Sequence, residues 1–213
     1  MKKVIVLTAV LVILAVSGVM ADSSAGSVFG TFTTAKALGQ GSGVFGGGVG
    51  IADATSIVGW FGYGMSDYID GRLKLGLVDN DGSDTEISLG ADFKYQFWSV
   101  EGTVPNAIDM AVGGFIEYVD YGVASIFQIG GNVIGSYPFL LQNGTTLSPY
   151  GRFNVRLESR SLDVPPSSES DSELEFGLNG GAAWQVSPTV TLYGEFQLDG
   201  NDGVFLGIDF SVL

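Results

Sequence analysis

From residue 42 to the last position, apolar and polar side chains alternate one by one, segment after segment. In the clearest stretch Ile87, Leu89, Ala91, Phe93, Tyr95 and Phe97 alternate with Glu86, Ser88, Gly90, Asp92, Lys94 and Gln96. Leu73, Leu75 and Leu77 interleave with Arg72, Lys74 and Gly76, and Phe153, Val155 and Leu157 with Arg152, Asn154, Arg156 and Glu158. Leu174, Phe176 and Leu178 do so with Glu173, Glu175 and Gly177, and Val190, Leu192 and Phe196 with Thr191, Tyr193, Glu195 and Gln197. Successive side chains of a strand point to opposite faces, so a period of two gives each strand one apolar and one polar face. No sustained helical period occurs after the N-terminal leader.

Turn-forming residues cut this pattern into ten strands, at 42–52, 55–64, 68–79, 84–97, 107–119, 122–137, 146–161, 172–186, 189–199 and 203–213. The separators include Asn80-Asp81-Gly82, Asn143-Gly144, Ser187-Pro188 and Gly200-Asn201-Asp202-Gly203, whose residue types favour tight turns. An even count lets both ends of a closed barrel lie on one side of a membrane, and eight or twelve strands are the neighbouring solutions. Only the stretch 162–171 has the length of a substantial loop.

The N-terminus carries Lys2 and Lys3, then an unbroken apolar run from Val4 to Val16, then Ser17 to Ala21 before polar Asp22. This order of basic head, short apolar core and small residues predicts a secretory signal peptide over 1–21, cut after Ala21 with Val19 and Ala21 read by the peptidase. A retained membrane helix is the alternative, but the run is short for a span and no basic stop-transfer segment follows. Residues 22–41 show no sustained alternation and are expected either in the periplasm or as a plug of the lumen. Residues 42–213 form the barrel.

The basic residues decide which face is which. Beyond the leader they are Lys36, Arg72, Lys74, Lys94, Arg152, Arg156 and Arg160, and all but Lys36 fall on the polar face of a strand. A charge facing the middle of a bilayer costs about 2–4 kcal/mol, so a membrane barrel must turn such residues inward. There they meet Glu86, Asp92, Glu117, Glu158, Glu173, Glu175, Glu195 and Asp209. The lumen of a ten-strand barrel is narrow, and salt bridges crossing it are expected to fill it. With 33 Gly, 14 Phe and only 15% charged residues, the composition suits close backbone packing and aromatic belts. The fold expected is therefore all-β, a closed antiparallel up-and-down transmembrane β-barrel. Acidic residues, among them Asp53, Asp79, Asp81, Asp84, Asp120, Asp163, Glu169, Asp171, Asp199 and Asp202, gather at one rim of this topology.

The signal peptide, the alternation and the last strand together resemble the small outer-membrane barrels of Gram-negative bacteria, the OmpX, OmpA-barrel and OmpW-like group. In that strand Val204, Leu206, Ile208, Phe210 and Val212 share one face, like the assembly signal such proteins present to the barrel insertion machinery. The family's signal usually ends in an aromatic residue, whereas here the alternation ends at Val212 and Leu213 is left over. The resemblance implies residence in the bacterial outer membrane, lipid and the insertion machinery as partners, and a monomer.

Chemistry is constrained by absences. The sequence has no His and no Cys, which removes Ser-His, Cys-His and His-metal schemes and any disulfide framework. Glu173 and Glu175 share a strand face, but pairing with Arg152, Arg156 or Arg160 explains them more simply than acid–base work. Asp79-Asn80-Asp81-Gly82-Ser83-Asp84 resembles the start of a calcium loop without its downstream bidentate Glu. Asn143-Gly144-Thr145 reads as a turn rather than a glycosylation site, and Gly46 to Gly50 as a place of curvature or close approach rather than a phosphate loop. The net charge of −14 excludes a nucleic-acid footprint. The expectation is a non-enzymatic barrel with a structural or surface-interaction role and no cofactor. A narrow channel for small solutes and a soluble secreted β-sandwich are the alternatives.

Overall fold

The computed structural model describes residues 25–80, 85–99, 108–121, 124–164 and 167–212. The leader, its cleavage site, Asp81 to Asp84 and the Pro165-Pro166 turn lie outside the described residues.

The alternating segments become strands β1 (Gly43–Ile51), β2 (Ala54–Gly64), β3 (Ile69–Asn80), β4 (Glu86–Trp98), β5 (Asp109–Asp120), β6 (Ala124–Ser136), β7 (Phe139–Leu140), β8 (Thr146–Val164), β9 (Ser167–Ser187), β10 (Val190–Leu198) and β11 (Gly203–Ser211). Each long strand pairs antiparallel with its sequence neighbour, and β6 pairs with β8 directly, so that the two-residue β7 stands aside. Pairing of β1 with β11, from Val44↔Ser211 to Ile51↔Val204, closes the sheet. The result is a closed barrel of ten long strands with no free edge, which removes the unpaired backbone groups of an open sheet.

One expectation about connections changes, and another is met. The stretch 162–171 is not a free loop: β8 and β9 stay in register up to Val164↔Ser167, which makes them the longest strands, at 19 and 21 residues. Once two strands are paired, each further step satisfies another set of backbone groups, and the polar composition of this hairpin hid that continuation. The Asn143-Gly144 segment is a turn, with Gly144 at φ 81° and the Leu141 N–H donating to Thr145 O at 2.8 Å. It adds β7 to the edge of β8.

The alternation maps onto the wall as one exposed and one buried face. Along β2 every second residue from Ala54 to Gly64 is buried while Ile57, Phe61 and Tyr63 are exposed. Leu73, Leu75, Leu89, Phe93, Phe153, Leu174, Leu206 and Phe210 continue this apolar outer surface around the barrel. Buried positions carry Arg72, Lys74, Lys94, Glu117, Arg152, Arg156 and Glu195. The fold is thus inverted relative to a water-soluble protein, polar inside and apolar outside.

Candidate functional site

The interior is occupied by the chain itself. Residues 25–42 run through the lumen from the rim holding the 52–53 and 199–202 turns to the rim where β1 begins and β11 ends. At the first rim the Ala25 N–H donates to Glu158 Oε1 at 2.9 Å. Near the second, the Ala37 and Leu38 N–H groups donate to Gln96 Oε1 at 2.8 Å and Asp70 Oδ2 at 2.9 Å. Gly64 N and O then bond Ser42 O and Gly41 N, leading the chain into β1.

A peptide inside a barrel has no strand partner, so its backbone groups must be satisfied by side chains of the wall. Arg72 on β3 donates from Nη1 to Phe32 O at 2.8 Å and from Nη2 to Thr31 O at 2.7 Å, while Nε and Nη2 grip Asp92 on β4. Glu195 on β10 accepts the Thr31 N–H at 2.7 Å and the Phe32 N–H at 3.3 Å, and is itself held by Tyr150 and Asn179. Lys94 spends its three donors on Thr33 Oγ1, Thr34 O and Lys36 O, at 2.9, 2.8 and 2.7 Å. Gln128 reaches Gly26 O, Gln197 and Asn201 both reach Ser27 O, and Ser56 donates to Val28 O. Charged and amide residues of the wall act as a sheath for one extended segment.

Apolar anchors fix its depth. Phe32 stacks on Trp60 with ring centroids 4.8 Å apart and meets Tyr193 and Phe205 edge-on. Space for that ring comes from missing side chains: a Cβ on Gly48 would lie 3.0 Å from Phe32, and one on Gly207 2.8 Å. The glycine run of β1 is therefore a site of close approach. Phe32 is the one described non-glycine residue with positive φ, at 43°, a conformation that costs an L-residue roughly 1–2 kcal/mol. Phe29 fills a second recess beside Gly76 and Gly90.

Most of the ion pairs run along the wall rather than across the lumen as the sequence suggested, although Arg156 also reaches Asp199 at 3.7 Å, past the intervening β9. Arg72 and Lys74 share Asp92, at 2.9 and 2.8 Å, and Lys94 faces Asp70 at 3.4 Å on the adjoining strand. Arg156 and Arg160 both bond Glu158 on their own strand. The threaded segment holds the axis, so most wall charges reach their cross-strand and i, i+2 neighbours instead. Of the expected lumen residues, Arg72, Lys74, Lys94, Glu117, Arg152, Arg156, Glu158, Glu195 and Asp209 are buried, Asp92 nearly so. Glu86, Arg160 and Glu175 are partly buried and Glu173 is exposed. Val204, Leu206, Ile208, Phe210 and Val212 lie together on the outer face of β11.

Sequence reasoning missed Asp70, Asp109, Gln128, Gln197, Asp199 and Asn201, all buried. The first four stand on the polar face of a strand and were legible by position; Asp199 and Asn201 read as solvated turn residues. Burial pushes the Asp199 carboxyl up to about 7, against the pull of Arg156 and the Ser27 N–H. Arg156 stands 3.7 Å away, too far to outweigh the loss of water. Beside this turn an open vestibule of about 440 Å³ is lined by Ala25, Asp53, Tyr121 and Arg160. Among the described residues no group of three or more Asp or Glu is placed to hold a metal ion.

No protein-family model and no curated protein matches the chain. Solved structures similar to it include the N-terminal β-barrel domain of OprF from Pseudomonas aeruginosa, at 14% identity and a TM-score of 0.39, covering 82% of this chain and 99% of that one. Ail, the attachment invasion locus protein of Yersinia pestis, matches at 13% identity and 0.32, covering 81% and 95%. A triple mutant of Rhodopseudomonas blastica porin matches at 10% identity and 0.21, covering 80% and 99%. The fold assignment rests on the strand register and closure themselves.

Proposed function

We propose that this protein is a monomeric, non-enzymatic barrel of a bacterial outer membrane, serving as a scaffold and surface element with its lumen stoppered by its own N-terminal segment. The carrying observation is the lacing of residues 25–42 by wall side chains, from Glu158 at one rim to Asp70 near the other. An axis held by backbone hydrogen bonds and the Phe32 cage favours the closed scaffold over a narrow solute channel. The apolar outer surface supports lipid as the surrounding solvent: in water, exposed Leu73, Leu75, Ile87 and Leu89 would form a patch far beyond what soluble monomers carry. The β8–β9 hairpin is the surface element that a partner outside the cell would meet first.

Two measurements test this. In isolated envelopes the protein should migrate differently on gels before and after boiling, as a detergent-resistant barrel does. In planar bilayers the purified full-length mature protein should give no discrete conductance steps. Recovery in the soluble fraction overturns the membrane assignment, and steady ion conduction overturns the stoppered scaffold.

A further inference from the structure

The wall partners of the threaded segment follow one direction without reversal. Ala25 bonds Glu158, a Cβ on Gly26 would run into the Asn201 backbone, and Ser27 meets Asp199, Gln197 and Asn201. Thr31 and Phe32 then bond Glu195, further back along β10. Lys94 takes Thr33, Thr34 and Lys36, Gln96 takes Ala37, and Gln40 reaches Asp67 in the turn between β2 and β3. The segment thus passes β10 from its end toward its start and β4 toward its end. Both lead from the rim of the 199–202 turn to the rim of the β2–β3 turn. Residues 25–40 make a single crossing of the barrel.

The strands say which rim faces out. In a barrel of ten long strands the start of β1 and the end of β11 share one rim, and in bacterial outer-membrane barrels that rim is periplasmic. The opposite rim carries the β8–β9 hairpin, paired out to Val164↔Ser167, as longer connections lie outside in such barrels. Ala25 stands at this outward rim. Parity is the reason: an even number of wall strands brings the end of β11 back beside the start of β1, and the pass ahead of β1 is one crossing more. Ala25 also lines the open vestibule of about 440 Å³, together with Asp53, Tyr121 and Gly200. Inward of it the space is taken by Ser27, Val28 and Phe29, all buried. The way out for the chain is the vestibule.

We infer that the chain preceding Ala25 leaves through this vestibule and is displayed on the outer face of the membrane, on the side opposite to the end of β11. The inference rests on the outer-membrane reading proposed above. The threaded segment is then a tether as well as a stopper, and its leading end joins the β8–β9 hairpin as a surface available to partners outside the cell.

The chain has no cysteine, so single introduced cysteines report sidedness without background. Ser170→Cys, exposed on β9 near the hairpin tip, marks the Ala25 rim, and Gln40→Cys, also exposed, marks the far end of the segment. Cells producing the full chain are treated, intact and after the outer membrane is opened, with a maleimide coupled to a polymer too large for porins. Ser170→Cys and Ala25→Cys should react on intact cells, and Gln40→Cys only after opening. A peptide tag inserted directly ahead of Ala25 should bind antibody on intact cells, with the tagged protein still heat-modifiable on gels. Tag or Ala25→Cys reached only after opening overturns the display, as does Gln40→Cys reacting on intact cells. Ser170→Cys protected on intact cells overturns the assignment of the outward rim, and the display with it. Recovery of the protein in the soluble fraction removes the outer-membrane reading itself, a different result from either.

Discussion

Replacing Phe32 separates what the threaded segment gains from its anchor and what that anchor costs. The ring is 2% exposed and touches Trp60, Tyr193 and Phe205, so Phe32→Ala removes a fully caged aromatic, a change that costs about 3–5 kcal/mol in well-packed sites. The recess is walled by strand backbone at Gly48 and Gly207, which the closed ladder keeps from collapsing, so the upper half of that range applies. The second comparison is sharper. At an ordinary extended position Gly is less stable than Ala by about 0.5–1 kcal/mol because of its freedom in the unfolded chain. At φ 43° Ala instead carries a left-handed penalty of about 1–2 kcal/mol that Gly escapes, so Phe32→Gly should be the milder of the two substitutions, by up to about 1 kcal/mol. Urea unfolding in detergent reports this through Trp60 fluorescence once Trp98 and Trp184, both on the outer surface, are changed to Phe. Full stability in Phe32→Ala would refute the aromatic cage, and Phe32→Gly below Phe32→Ala would refute the left-handed backbone.

Removing residues 25–40 should leave a heat-modifiable barrel that conducts in planar bilayers in discrete steps; a silent variant would mean that the wall side chains close the lumen unaided. Asp199 sets a pH dependence. Its folded value of about 7 lies above the ordinary 3.8, so its contribution to stability is fully present below pH 4 and is lost as pH rises through 7, on the order of 4 kcal/mol at most. Asp199→Asn should flatten that part of a stability-against-pH curve, and an equal slope in both proteins would remove Asp199 as its source. A Cβ at Gly64 would run into the Gly39 carbonyl, whereas one at Gly135 meets nothing, so Gly64→Ala should lower the denaturation midpoint clearly while Gly135→Ala leaves it nearly unmoved. Leu75→Arg, at an exposed outer position, should cost about 2–4 kcal/mol in lipid bilayers, where a soluble protein would register almost nothing.

The sequence determined the wall. A period of two is a local property that every strand displays by itself, and charges confined to one side of that period, Arg72 and Lys74 against Leu73 and Leu75, told which face turns inward. Nine of the ten strands accordingly begin and end within about three residues of their expected limits, boundaries being the least certain part of such a reading. The exception, β9, grew along β8 because pairing rewards continuation whatever the side chains are. The contents of the lumen were a different matter. Residues 25–42 carry no period, because a segment without a strand partner has no face to repeat. Its bonds join backbone groups, which every sequence possesses, to side chains such as Glu195 that lie more than 160 positions away. Those partners met only when β1 paired with β11 and the sheet closed around the segment. Closure likewise turned the glycines of β1 into the floor of the Phe32 recess. Which residues face inward is written along the chain; what they hold there is decided by the curvature that brings ten strands into a ring.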